Sequence, residues 1–92
     1  MFVNMAFVSP KPGKEKAMTE TMRSFAKALD GMPGLLETFV LSEEGEKNLV
    51  GVSMWRDRMA FEAAMGRVHP PPPPEPLEQM RETTTIRQFE SI

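Results

Sequence analysis

The sequence predicts an α+β fold of the ferredoxin-like type, with the element order βαββαβ and one antiparallel four-stranded sheet. Three observations support this prediction. Four segments are rich in the apolar, aromatic and β-branched residues that strands prefer, and two segments between them have the apolar spacing of amphipathic helices. The length of 92 residues leaves room for a single domain, residues 1–92.

The first strand and the first helix are separated by a turn that contains two prolines. Residues 2–8, FVNMAFV, predict a strand, which Pro10 and Pro12 end because proline cannot continue the ladder of hydrogen bonds. From Lys14 to Asp30 the apolar residues recur at helical spacing, which predicts an amphipathic helix. Gly31 follows in the position where a left-handed residue commonly ends a helix.

Two further strands, residues 35–41 and 49–55, are joined by the polar segment 42–48, whose composition is typical of a hairpin connection. Asp57 follows at the position of an N-cap and starts a second helix that we expect to end near His69. The apolar residues of this helix are Phe61, Ala64, Met65 and Val68.

Residues 69–76, HPPPPPEP, predict a stiff polyproline segment inside the domain, since a run of prolines enters neither helix nor sheet interior. We expect this segment to form a rigid rim between the second helix and the last strand. A short helical turn starting at Pro76 and a last strand over residues 83–89 complete the fold.

The strands are apolar on both faces, whereas two helices can cover only one face of the sheet. In the first strand, alternation separates Phe2, Asn4, Ala6 and Val8 from Val3, Met5 and Phe7. The second face therefore needs a partner, and the simplest partner is an identical sheet across a two-fold axis. The sequence predicts a homodimer that forms an α+β barrel.

Composition excludes several classes of function. The formal charge of −2 is spread in mixed clusters, so neither a nucleic-acid site nor an anionic-membrane site is indicated. The chain has no cysteine and one histidine, so no metal site is expected. No signal peptide or membrane span is recognisable, and a cytoplasmic location is the default expectation.

Three motifs give the chain a resemblance to the antibiotic-biosynthesis monooxygenase family of dimeric α+β barrels. They are Pro12-Gly13-Lys14 before the first helix, Met32-Pro33-Gly34-Leu35-Leu36 at the second strand, and Val52-Ser53-Met54-Trp55-Arg56-Asp57 leading through Ala60-Phe61 into the second helix. Together they cover roughly residues 1–68.

The resemblance implies three possible functions. The first is a cofactor-independent monooxygenase that acts on a small aromatic or quinol-like substrate in an apolar pocket. The second is a haem-binding or haem-degrading oxygenase, and the third is a non-catalytic module that binds a small hydrophobic ligand. Fold does not choose among these functions, so the choice depends on the residues of the site.

Three residues are candidates for catalysis. Asn4 interrupts an apolar strand and offers a donor and an acceptor that could orient dioxygen or a substrate oxygen. An asparagine on the first strand is also a site residue in the haem-degrading relatives. Trp55, at a strand end, either joins strand to helix or forms a pocket wall. His69 could be a haem ligand or a general base, although Pro70 disfavours helical structure at His69.

The pocket itself should be lined by apolar side chains of the two helices. The predicted lining residues are Met22, Phe25, Phe61 and Met65. Ala64 stands where the haem-degrading relatives have a tryptophan, which counts against haem degradation.

Overall fold

A four-stranded antiparallel sheet and three helices make up the computed structural model, which describes residues 1–92. The elements in chain order are β1 (Phe2–Pro10), α1 (Glu15–Ala28), β2 (Leu35–Ser42), β3 (Leu49–Trp55), α2 (Arg58–Met65), α3 (Leu77–Met80) and β4 (Arg81–Glu90). The strands lie in the order β2-β3-β1-β4. The predicted βαββαβ plan is confirmed, with α3 as the short helical turn expected after the prolines.

Helix α1 begins at Glu15 and ends at Ala28, slightly inside the predicted range. Gly31 follows with a φ angle of 79°, the left-handed conformation expected from the sequence. The apolar side of α1 carries the buried Met18, and Leu29, just past the helix, is 2% exposed. Burial of this side holds α1 against the sheet.

Helix α2 is capped as predicted but is shorter than predicted. The Asp57 carboxylate accepts a hydrogen bond from the Ala60 amide at 2.8 Å, which lowers the pKa of Asp57. The helix ends at Met65, and Gly66 is the C-cap. Val68, although outside the helix, donates its amide to the Ala64 carbonyl and packs against the core, which explains its place in the apolar pattern.

Strand β4 begins two residues earlier than predicted and contains an irregularity. Thr83 pairs with Ser9, but the next pair is Pro10 with Arg81, so Glu82 is an extra residue. Such a bulge moves the residue beyond it onto the other face of the sheet.

Two clusters of buried side chains fix the helices to one face of the sheet. The Trp55 cluster consists of Phe2, Leu29, Trp55, Ala60 and Ala64. The Met80 cluster consists of Val8, Met18 and Met80. The clusters lie at opposite ends of the strands, because Phe2 pairs with Trp55 and Val8 lies six residues further along β1.

The other face of the sheet carries no helix. Phe39 is 45% exposed and Leu41 and Phe89 are each 48% exposed there, so this face remains largely apolar and open. The structure thus reproduces the unpartnered face that the sequence predicts. No helix has the length and hydropathy to cross a membrane.

Candidate functional site

A cavity of about 250 Å³ lies between α1 and the helix-covered face of the sheet. Its volume is close to the lower end of the range for ligand pockets, roughly 300 Å³. Twelve of its 19 lining residues are hydrophobic. From α1 and the residue after it, the lining includes Met18, Thr21, Met22, Phe25, Ala26 and Leu29.

The sizes of the side chains along the strands explain why a cavity forms between α1 and the sheet. Two rows of residues cross all four strands between the Trp55 cluster and the Met80 cluster. The polar row is Thr38, Ser53, Asn4 and Gln88. The small row is Val40, Gly51, Ala6 and Ile86. Since Gly51 and Ala6 occupy the two central strands, the sheet leaves room under α1, and Met22 reaches into this room, its Cε lying 3.2 Å from where a Cβ of Gly51 would be.

Hydrogen bonds orient the two central residues of the polar row. Gln88 donates from Nε2 to Asn4 Oδ1 at 3.1 Å, which leaves the Asn4 amide nitrogen as a donor for a ligand. Trp55 donates from Nε1 to Ser53 Oγ at 2.8 Å, so the Ser53 hydroxyl keeps its own proton for donation. Asn4 and Ser53 thus place two available donors in an otherwise apolar cavity.

The cavity opens toward β4, at the edge of the sheet. Ile86 lines the cavity and is 53% exposed, so a ligand has access from this side. Helix α2 contributes Ala60 and Ala64 to the Trp55 cluster and no residue to the cavity lining. The proline run lies across a surface groove from α1, and Thr21 lines both the groove and the cavity.

The titratable groups of the cavity are few. Arg81 is the one charged lining residue, and neither a carboxylate nor a histidine is among the lining residues. No group of three or more His, Cys, Asp or Glu side chains is placed to hold a metal ion. The cavity therefore offers hydrogen-bond donors and one cation, but no general base of ordinary pKa.

The structure brings only some of the predicted site residues together. Asn4, Met22 and Phe25 line the cavity. Phe61 and Met65 pack against the Trp55 cluster instead, because the α2 stripe faces the far end of the sheet. The predicted lining by these two side chains is therefore not observed.

Trp55 is fully buried, and its ring packs edge-on against Phe61 with centroids 5.9 Å apart. It reaches the cavity only through its hydrogen bond to Ser53. His69 is exposed and does not line the cavity. Trp55 thus packs between the end of β3 and α2. Its role as a pocket wall stays a prediction.

Sequence reasoning did not predict the contributions of Ser53, Thr38 and Arg81 to the cavity lining. Ser53 and Thr38 could have been found from the register of the hairpin, since Ser53 pairs with both Asn4 and Thr38. The position of Arg81 in the lining depends on the bulge at Glu82, and the sequence carries no evident signal for this bulge.

Comparison with known proteins places the chain in a family. The family model described as antibiotic biosynthesis monooxygenase matches residues 1–69. Among curated proteins, none matches the chain.

Several solved structures share the fold at low sequence identity. A candidate antibiotic biosynthesis monooxygenase from Nitrosomonas europaea has a TM-score of 0.76 and 18% identity, covering 100% of this chain and 99% of its own. A Pseudomonas aeruginosa protein has a TM-score of 0.76 and 16% identity, covering 99% and 93%. The heme degrader MhuD from Mycobacterium tuberculosis, with two hemes in its active site, has a TM-score of 0.72 and 20% identity, covering 100% and 96%.

Proposed function

The chain belongs to the antibiotic biosynthesis monooxygenase family, and we propose that it is a cofactor-independent monooxygenase acting on a small aromatic or quinol-like substrate. The observation that carries the proposal is the pair of free donors on Asn4 and Ser53, set in a small apolar cavity. A flat hydrophobic ligand suits the apolar lining, and the donors suit an oxygen atom at its edge.

The proposed reaction requires few chemical groups from the protein. An electron-rich substrate anion transfers an electron to dioxygen, and the two radicals combine into a carbon-bound peroxide anion, which takes up a proton to become a hydroperoxide. Loss of water from the hydroperoxide leaves a carbonyl group, so a CH₂ group and O₂ become C=O and H₂O. The cavity excludes water and fixes the geometry, while the Asn4 amide donates to the oxygen that gains negative charge.

The lack of a general base in the cavity restricts the substrate. Since neither carboxylate nor histidine lines the cavity, the substrate must lose its proton without help from a side chain of this protomer. We therefore expect the pH dependence of the rate to follow the pKa of the substrate. Two substrates of different acidity should show midpoints that differ as their own pKa values do, and identical midpoints would reveal a titrating group of the protein.

Oxygen uptake with 1,8-dihydroxyanthrone as a probe tests the proposal. The purified protein, with no added cofactor, should accelerate oxygen consumption saturably, and Asn4→Ala should lower the rate at least about tenfold. Asn48→Ala is the matched control, because Asn48 bonds only to Glu43 in the hairpin. Equal rates for wild type and Asn4→Ala would remove Asn4 from the reaction, and no acceleration by wild type would leave a ligand-binding module.

The competing hypothesis is a haem-binding oxygenase, and the structural similarity to the heme degrader MhuD is the reason to test it. The cavity lining contains no histidine, cysteine or tyrosine, and His69, the one histidine, is exposed outside it. These residues do not fit a haem with an axial histidine inside this cavity. A haemin titration should show no saturable Soret change, whereas one-to-one binding that is lost in His69→Ala would reverse this conclusion.

We also propose that the active form is a homodimer joined through the open face of the sheet. The exposed Phe39, Leu41 and Phe89 support this arrangement. In analytical ultracentrifugation Phe39→Glu should shift a dimer to a monomer, whereas Met59→Glu, at an exposed position on α2, should not. A monomeric wild-type protein in the same measurement would contradict the proposed dimer.

A further inference from the structure

We propose that Arg81 selects anionic substrates by binding a carboxylate at one end of the cavity, while Asn4 and Ser53 bind the oxygen at the other end. The proposal rests on the proposed function, because it names the substrate class of the same cavity. The substrates it predicts are aromatic carboxylic acids with a ring small enough for about 250 Å³.

The first observation is that Arg81 is a cation without a partner. The ion pairs of the chain are Lys14–Glu75, Arg56–Asp57 and Arg58–Glu90, and none includes Arg81. A guanidinium at the edge of an apolar cavity is most favourable when a carboxylate completes its hydrogen bonds. Arg81 is half-buried and makes no ion pair within the protein, so its guanidinium is free to bind a ligand carboxylate.

The second observation is that the bulge in β4 places Arg81, and not Glu82, on the helix-covered face of the sheet. In a regular ladder Pro10 would pair with Glu82, and a carboxylate would then follow Thr84 on the helix-covered face. The bulge makes Glu82 the extra residue and pairs Pro10 with Arg81. Arg81 consequently lines the cavity and Glu82 does not, which changes the charge at this end from negative to positive.

The third observation is the separation of the two polar ends. Asn4 and the Pro10–Arg81 pair lie six residues apart along β1, which corresponds to roughly 20 Å along a strand. Arg81 has a long side chain that can reach back along β4 past Thr84 toward Ile86, both of which line the cavity. A ligand between them would place its carboxylate toward α3 and its reacting ring over Ala6 and Ile86.

Binding of two matched probes tests the proposal without any turnover. The probes are 1-naphthoate and its uncharged isostere 1-naphthamide, and isothermal titration gives the dissociation constant of each. Wild type should bind the naphthoate more tightly, roughly ten- to hundredfold, as expected for a charge-assisted hydrogen bond. Arg81→Gln should lose this preference while its affinity for 1-naphthamide stays the same.

Two variants sharpen the result. Arg81→Lys should keep part of the preference, since it keeps the charge but loses the bidentate geometry. Arg67→Gln is the matched control, because Arg67 does not line the cavity. Equal affinities of wild type for the two probes, or an unchanged preference in Arg81→Gln, would overturn the role of Arg81. Oxygen uptake is measured separately from binding. If wild type prefers 1-naphthoate through Arg81 but does not consume oxygen, only the oxygenase proposal is refuted.

Discussion

The Trp55 cluster and the cavity differ in how the side chains of the sheet fill the space under the helices. At the Trp55 cluster, Phe2 and Trp55 lie side by side on the central strands and are both fully buried. Further along the same two strands, the small row presents Gly51 and Ala6 to α1. The Trp55 cluster is therefore a packed core and the middle of the strands borders a cavity, although both belong to one sheet face.

The difference shows how a small domain separates stability from function. A chain of this length buries only about 60% of the surface that its unfolded form exposes, so an internal cavity costs a large share of its stability. The Trp55 cluster concentrates the large side chains that offset this cost. Leu29 of this cluster also lines the cavity, and the hydrogen bond from Trp55 to Ser53 uses the rigid core to orient a cavity residue.

The largest expected effect comes from truncating the same residue type at both places. Phe2→Ala should lower the free energy of unfolding by about 3 to 5 kcal/mol, because it opens a void in a fully buried cluster. Phe25→Ala should cost only about 1 kcal/mol, since Phe25 is 38% exposed beside an existing cavity. Urea unfolding measures both values. Equal losses would mean that the Trp55 cluster and the cavity wall are packed alike.

A glycine substitution tests how closely α2 approaches the turn before β2, next to the Trp55 cluster. Gly34 has a φ of 83°, and a Cβ atom there would lie 2.5 Å from Ala60 Cβ. Gly34→Ala should therefore destabilise the fold by about 2 kcal/mol. Gly13→Ala, with a φ of 81° and no atom within 4 Å, should cost about 1 kcal/mol. If thermal unfolding shows the same loss for both, the close approach of α2 is not present in solution.

The smallest effect concerns the cap of α2. The pKa of Asp57 is lowered chiefly by the hydrogen bond from the Ala60 amide, so the carboxylate stabilises the folded state above its unfolded pKa. This contribution is lost as the pH falls through the folded pKa. The difference in Tm between wild type and Asp57→Ala should therefore shrink as the pH is lowered from about 6 to about 3. Asp30→Ala, which removes no cap, should show no such trend.

The element order was predictable because it depends on local signals. Period changes separate strands from helices, Asp57 caps α2, and Gly31 follows α1 in a left-handed conformation. The assignment of Asn4 to the cavity was also within reach, since a polar residue in an apolar strand needs a polar partner, here Gln88.

The composition of the cavity was less predictable because it depends on which rows of the sheet lie under which helix. The apolar stripe of α2 identifies Phe61 and Met65 as inward-facing, but it does not say that they face the Trp55 end. The position of Arg81 depends on one extra residue in β4, and the alternation of polar and apolar residues alone gives the opposite face.

Filling the cavity tests most directly whether it is the functional site. Ala6→Leu would extend a side chain from the small row into the space under α1, whereas Met5→Leu changes the other face of the same strand with little change of volume. The measurement is the dissociation constant of 1-naphthamide by isothermal titration, together with the urea midpoint of each variant. We expect Ala6→Leu to stay folded and to bind at least about tenfold more weakly, because the ligand and the new side chain compete for one space. Unchanged binding by a folded Ala6→Leu would show that the ligand lies elsewhere.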